Sequence, residues 1–234
     1  MPKTPPAAVR ATAPIHPMPF TRIELAIMAI VDGGLAILLG KRAGAPHKGK
    51  WALPGGVLRI DKDRDLDAAA QRVAQERLDV TLPYFRQLQA VGAKNRDSRA
   101  PWALSIAYRA LVPVEALRPA PGKRLDEIKW RPIDEAAADS GLAFDHASLI
   151  RAAAEATRGE IERLELPFGF LPEKFTLGEL QSCCEALLGR DLDKSSFRRR
   201  LDERDLLEAV PGEMRTGAFR PAQLYRAAKP ERAR

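Results

Sequence analysis

The sequence predicts an α+β protein in two units, a layered α/β/α sandwich followed by a winged helix-turn-helix. Three observations carry this prediction. Over residues 20–164 apolar β-prone runs and amphipathic helical stretches are mixed without regular βαβ alternation, which argues against a doubly wound parallel sheet. Helical periodicity then breaks at "LELPFGFLPEKF" (Leu164–Phe175), where two prolines and a glycine interrupt it. Beyond the break, two well-capped helix starts are followed by a β-prone run, a basic turn-rich loop and a second β-prone run.

Taken in order, residues 1–19 ("MPKTPPAAVRATAPIHPMP") are rich in proline and alanine and hold no continuous apolar stretch. They read as a flexible tail, neither a signal peptide nor a membrane span, and a cytoplasmic protein with no membrane partner is expected. "RIELAIMAIV" (Arg22–Val31) and "LAILLGKR" (Leu35–Arg42), joined by "DGG", form a predicted hairpin. A basic loop, "APHKGK", leads to the tight turn "WALPGG" (Trp51–Gly56) and then to the acidic loop "RIDKDRD". In the helix that follows, Leu66, Ala69, Ala70, Val73 and Arg77 share one stripe. Further strands are expected at Phe85–Ala93, Trp102–Val112 and Glu127–Ile133, and a long helix from about Asp145 to about Leu164.

Past the break, Thr176 and Glu179 make a capping box, with Phe175 and Leu180 as its hydrophobic staple. Leu177, Leu180, Cys184, Leu187 and Leu188 form an inward stripe that ends at Gly189, the expected C-cap. Asp193 caps the next helix, with Leu192 and Phe197 as its staple and Phe197 and Leu201 pointing inward. "PGEMRTGAFRPA" is then the expected wing and "QLYRA" the returning strand. The boundaries expected are 1–19 for the tail, 20–164 for the first domain and 165–234 for the second.

The formal charge of +7 favours an anionic partner, although composition alone is weak evidence. Cys183 and Cys184 are adjacent within a helical stretch, where normal disulfide geometry is unattainable, so no disulfide or zinc framework is implied. On the second helix of the carboxyl-terminal unit, Ser195, Ser196 and Arg199 lie opposite the apolar face, where side chains reach base edges. Lys194, Arg198, Arg199 and Arg200 are placed to neutralise phosphates, and Arg215 and Arg220 suit a wing that touches backbone or minor groove.

"GKWALPGG", a loop and then a helix resemble the Nudix superfamily, whose box runs G-x5-E-x7-R-E-U-x-E-E-x-G-U. Clustered helix carboxylates in such a box hold divalent metal against a pyrophosphate. Matching Gly56 to the first glycine and Arg72 to the arginine requires two extra loop residues. The carboxylate positions then read Val73, Glu76 and Arg77, the earlier glutamate position falls on Arg64, and the late glycine is Asp79. Only Glu76 survives, so metal-assisted hydrolysis is expected to be lost or severely weakened. Asp61, Asp63, Asp65 and Asp67 read as solvated loop acids and helix-dipole partners rather than replacement ligands. Trp51 either stacks on a base or fills the core, and the histidine of "FDH" (Phe144–His146) reads as structural.

With "LPEKFTLGELQ", "DKSSFRRRL" and "FRPAQLYRA" downstream, the chain resembles the Nudix-related transcriptional regulators, of which the NrtR repressors of NAD metabolism are the best-known group. The likeness covers about residues 20–228. It implies a Nudix-like sandwich kept as a sensor of ADP-ribose or a related nucleotide or sugar, without cofactor or catalytic residues, and a winged helix that binds double-stranded operator DNA as a homodimer. The ligand set expected is Arg42, Trp51, Gly55, Gly56 and Glu76. The alternative is a divergent magnesium-dependent pyrophosphohydrolase of ADP-ribose-like substrates.

Overall fold

The structure, a computed structural model, describes residues 18–216 and 221–228. The predicted hairpin is present: β1 (Phe20–Val31) and β2 (Gly34–Arg42) pair antiparallel around a turn in which Asp32 and Gly33 both take positive φ. The pairing runs only from Val31–Gly34 to Met28–Ile37. Beyond it the two strands part. The freed edge of β1 takes the short strand β4 (Gly55–Val57), and that of β2 takes β3 (Trp51–Ala52). Along its other edge β1 runs parallel to β6 (Ala100–Leu111), which pairs antiparallel with β5 (Arg86–Asp97), while β2 takes β7 (Leu125–Pro132). The result is one mixed seven-stranded sheet with a cleft where β1 and β2 diverge.

Alternation along β1 assigns each face a helix. Ile23, Leu25 and Ile27 pack on α1 (Leu66–Leu78) through Ala69, Ala70, Val73, Ala74 and Leu78. Ala26 and Met28 face α3 (His146–Glu162), which buries Leu149, Ile150, Ala153, Ala154 and Ile161. Each large aliphatic side chain so buried is worth roughly 1.5–3 kcal/mol. Asp65 caps α1 by accepting from the Ala68 N–H, and Asp79 ends it in the left-handed region at φ 56°. That is the conformation for which the Nudix pattern carries glycine.

The carboxyl-terminal unit holds β8 (Phe175–Thr176), α4 (Leu177–Leu188), α5 (Lys194–Asp202), β9 (Leu207–Arg215) and β10 (Ala222–Ala227), with sheet order β8-β10-β9. The capping box is complete: Thr176 Oγ1 accepts from the Glu179 N–H and the Glu179 carboxylate from the Thr176 N–H. Gly189 is the left-handed C-cap and Asp193 accepts from the Ser196 N–H. Cys183 and Cys184 are free and buried among Leu180, Leu187 and Leu188, and burial pushes their thiols up to about 11 and about 12.

Several elements differ from expectation. Ile133–Ala138 forms a six-residue helix, α2, rather than the end of a strand; Pro132 starts it, and six residues are too few for helical periodicity to show. Pro211–Arg215 belongs to β9 rather than to a loop, a position Pro211 tolerates because β9 is an edge strand. Cys183 faces inward while Leu177 is only half-buried. One apolar cluster runs from the α3 face of the sheet through Leu164 and Phe175 into Leu180, Phe197 and Leu201, so packing is continuous across the compositional break. Among the described residues no helix is long and apolar enough to cross a membrane.

Candidate functional site

The cleft between β1 and β2 is a cavity of about 310 Å³ whose wall is cationic. Arg22 (β1), Arg42 (β2), Arg77 (α1), Arg99 (the β5–β6 turn) and Arg124 (before β7) converge on it, together with Leu53, Gly55 and Val57. Burial and the neighbouring guanidiniums of Arg22 and Arg99 press Arg42 down to about 10. Burial, with Arg124, Arg22 and Arg72 nearby, lowers Arg77 despite the favourable field of Glu76. Glu24 holds Arg22 and Asp97 takes a two-point contact from Arg99, which offsets part of this charge; Arg42, Arg77 and Arg124 keep the wall cationic, and guanidinium forks suit phosphate oxygens in particular.

Beneath the cavity lies a buried acid. Glu24 is 1% exposed and accepts from Arg22 Nε at 2.6 Å. Its other oxygen is 3.7 Å from His146 Nε2, and neither of those atoms has a hydrogen-bond partner. His146 Nδ1 accepts from the Leu53 N–H at 2.8 Å, so the histidine is structural, fastening the "LPGG" segment to α3. Burial alone raises a carboxyl, but Arg22 and His146 outweigh it and pull Glu24 down to about 2 from its ordinary 4.5. A depressed folded value stabilises the protein above the unfolded value, and that contribution is lost as pH falls between those limits. In urea unfolding followed from pH 6 downward, the wild type should lose stability through this window, and Glu24→Gln should lack that component of the slope.

Of the expected ligand set, Arg42 and Gly55 line the cavity. Trp51 lies elsewhere: its ring carries Lys129 Nζ at 4.0 Å and packs against the α3-side core. Gly56 serves close packing, since a Cβ there would meet Val73 Cγ2 at 2.8 Å. Glu76 pairs with Arg72 at 3.4 Å, and Arg72 also forks onto Asp63 and donates to the Val57 carbonyl. The loop acids have structural duties, Asp63 holding Arg72, Asp65 capping α1 and Asp67 accepting from Tyr108 Oη. Arg77 donates from Nε to the Gly55 carbonyl and from Nη1 to the Lys123 carbonyl. Sequence reasoning missed Arg22, Arg99 and Arg124 as cavity residues. The available signal was Arg22 and Glu24 inside an otherwise apolar strand, a charged pair that only burial together explains.

On the winged helix, Lys194, Ser195, Ser196, Arg198 and Arg199 are exposed along one side of α5, with Phe197 and Leu201 buried beneath. Arg199 pairs with Glu203 at 3.7 Å. Arg200 turns the other way and donates to the main-chain oxygen of Glu162 at the end of α3. Arg215 lies 3.2 Å from Glu179 and donates to the Lys174 carbonyl. Arg220 falls outside the described residues.

Fold and sites together define a Nudix-type sandwich with an anion-seeking cavity, joined to a winged helix with an exposed basic face. Residues 21–153 match the NUDIX domain and residues 167–227 the NrtR DNA-binding winged helix domain. The chain is 35% identical over 211 residues to the ADPR responsive transcriptional repressor NtrR of Acinetobacter baylyi, covering 90% of this chain and 83% of that one. Shewanella oneidensis NrtR, crystallised with a 27mer DNA, matches with a TM-score of 0.71 at 34% identity, over 89% of this chain and 93% of that chain. The NUDIX domain of the same Shewanella protein complexed with ADP ribose matches with a TM-score of 0.55 at 30% identity, over 60% of this chain and 90% of that chain. The chain belongs to the NrtR family of Nudix-related transcriptional regulators.

Proposed function

We propose that this chain is a cytoplasmic homodimeric repressor that binds operator DNA through α5 and the β9–β10 wing, and whose Nudix domain holds ADP-ribose or a related nucleotide or sugar without cleaving it. The observation that carries the ligand half is the convergence of five arginines on the β1–β2 cleft. A pyrophosphate brings compact negative charge beyond what Glu24 and Asp97 supply to this wall. The family relatives, one named as responsive to ADP-ribose and one solved with it, supply the candidate.

The donor chemistry supports a sensor over a hydrolase. Where a Nudix helix would present carboxylates, this one presents Val73 and Arg77; Glu76 is engaged by Arg72, and the Gly55 carbonyl already accepts from Arg77. Magnesium needs clustered oxygens free to ligate it, and an arginine in their midst repels it, so these residues do not fit the ion. The guanidiniums take over the charge neutralisation that a metal would supply. We assign the DNA contacts to Lys194, Ser195, Ser196, Arg198 and Arg199, with the domain boundary after residue 164.

The test is a binding titration on labelled duplexes from upstream of the protein's own gene and its neighbours, with and without ADP-ribose. Sequence-dependent binding that falls steeply with salt and changes with ADP-ribose is expected. No specific binding on those duplexes, together with magnesium-dependent turnover of ADP-ribose, would instead favour the divergent hydrolase. Arg199→Ala should weaken operator binding about 10- to 100-fold while leaving the melting temperature nearly unchanged, because a base-edge contact is worth roughly 1–3 kcal/mol and the side chain is exposed. Unchanged affinity would remove Arg199 from the recognition surface.

A further inference from the structure

Helix α3 touches both functional regions. At its start, the turn Phe144–His146 packs directly behind residues of the cavity wall. The Phe144 ring, at a residue with φ 54°, has the guanidiniums of Arg22, Arg42 and Arg99 at 5.4, 5.0 and 6.0 Å from its centroid, and all three line the cavity. Asp145 receives a two-point contact from Arg96, and His146 is fastened to Leu53, itself a lining residue. About 25 Å away, the length of a helix of this size, the other end is gripped by the winged helix. Arg200 donates to the Glu162 carbonyl, Arg204 to the Arg163 carbonyl, and Arg190 pairs with the Glu162 carboxylate at 3.0 Å. The two carbonyls belong to the terminal turn of a helix, whose unpaired oxygens and negative dipole end suit cations. Arg200 belongs to α5, the helix assigned above to DNA, but is engaged in this grip, which explains why it points away from Arg198 and Arg199.

We propose that α3 is the link through which an anion in the cavity changes the pose of the DNA-binding helix, and that Arg200 and Arg204 are clasp residues of this link rather than phosphate contacts. The inference rests on the sensing role proposed above. An anion in the cavity competes with the Phe144 ring for the guanidinium of Arg42, the nearest of the three at 5.0 Å, whereas Arg22 and Arg99 are held by Glu24 and Asp97. When it turns to the anion, Phe144 loses the nearest of its three cation–π partners, and the rod rooted in that turn shifts against the clasp. Ligand and operator then favour different positions of α3, which is what coupling between two sites requires.

The test measures the ratio of operator dissociation constants with and without saturating ADP-ribose, for wild type, Arg204→Ala, the Arg200→Ala/Arg204→Ala pair and Phe144→Leu. Each variant should bring the ratio closer to one by about 2- to 30-fold, the range through which residues along a coupling route act. Phe144→Leu keeps the apolar packing and removes only the ring, so it retains the test at the far end of α3 if loss of the clasp loosens the winged helix. By reciprocity, the effect of operator on ADP-ribose affinity should shrink by the same factor. A wild-type ratio that differs from one and persists unchanged in all three variants would overturn the link while leaving the sensor intact. A wild-type ratio of one would overturn both.

Discussion

Gly55→Ala should cost the protein roughly 3–5 kcal/mol of stability and eliminate ADP-ribose binding, because the new methyl group displaces a buried charge rather than merely crowding a side chain. A Cβ on Gly55 would lie 1.8 Å from Glu24 Oε2 and 2.9 Å from the Ile23 carbonyl. Glu24 has no room to withdraw: one oxygen is bonded to Arg22 and the other faces His146, in a site closed to solvent. Relief requires either moving β4 off β1, which opens the cavity floor, or breaking the Arg22–Glu24 pair, which leaves a buried charge uncompensated. A chain of this size should melt roughly 10 °C lower. Gly34→Ala is the control, since nothing lies within 4 Å of its Cβ position and φ there is ordinary; its effect should stay within about 0.5 kcal/mol. Thermal melts of the two variants side by side check the contrast, and equal melting points would disprove the role given to Gly55.

Arg77→Glu should separate binding from stability. The substitution removes the bonds to the Gly55 and Lys123 carbonyls and sets a carboxylate among Arg22, Arg42, Arg99 and Arg124, so the cavity satisfies its own charge and no longer needs a ligand. ADP-ribose affinity should drop at least about 100-fold, the scale on which loss of a charge-assisted contact together with a new repulsion acts. The ligand-free fold should lose little, because crowding of like charges is relieved at the same time. Val73 still offers no oxygen, so no turnover should appear. Calorimetric titration checks the affinity and product analysis the turnover; retained affinity would mean that the anion sits elsewhere.

What could be read in advance depended on how local its cause was. The capping box of Thr176 and Glu179, the Asp193 cap and the Gly189 terminus involve residues a few positions apart, and the structure has each in place. The hairpin was legible because "DGG" sits between two apolar runs. Helix α2 was not, being too short to show a period, and β8 and β3 are two-residue strands defined only by their partners. The cavity was the least legible feature. Its arginines come from separate elements across residues 22–124, and a parting of β1 from β2 that no local pattern encodes brings them together. Arg42 is in the ligand set that the sequence suggests, whereas Arg77 reads there as a stripe residue and a missing carboxylate. Gly56 and Glu76 were singled out from the Nudix pattern, yet one packs on Val73 and the other is paired with Arg72. Likewise, charge marked Arg198, Arg199 and Arg200 as one run, but each step along a helix turns about 100°, which carries Arg200 round to the end of α3.

If arginines in place of a metal hold the ligand, the domain should bind ADP-ribose without cleaving it. The most direct test is a calorimetric titration of the full chain with ADP-ribose in the presence of a chelator, repeated in excess magnesium, with the ligand recovered afterwards. The same saturable binding is expected in both, with intact ADP-ribose at the end. Binding that requires magnesium, followed by continuing heat and release of AMP, would contradict the role given to the arginines.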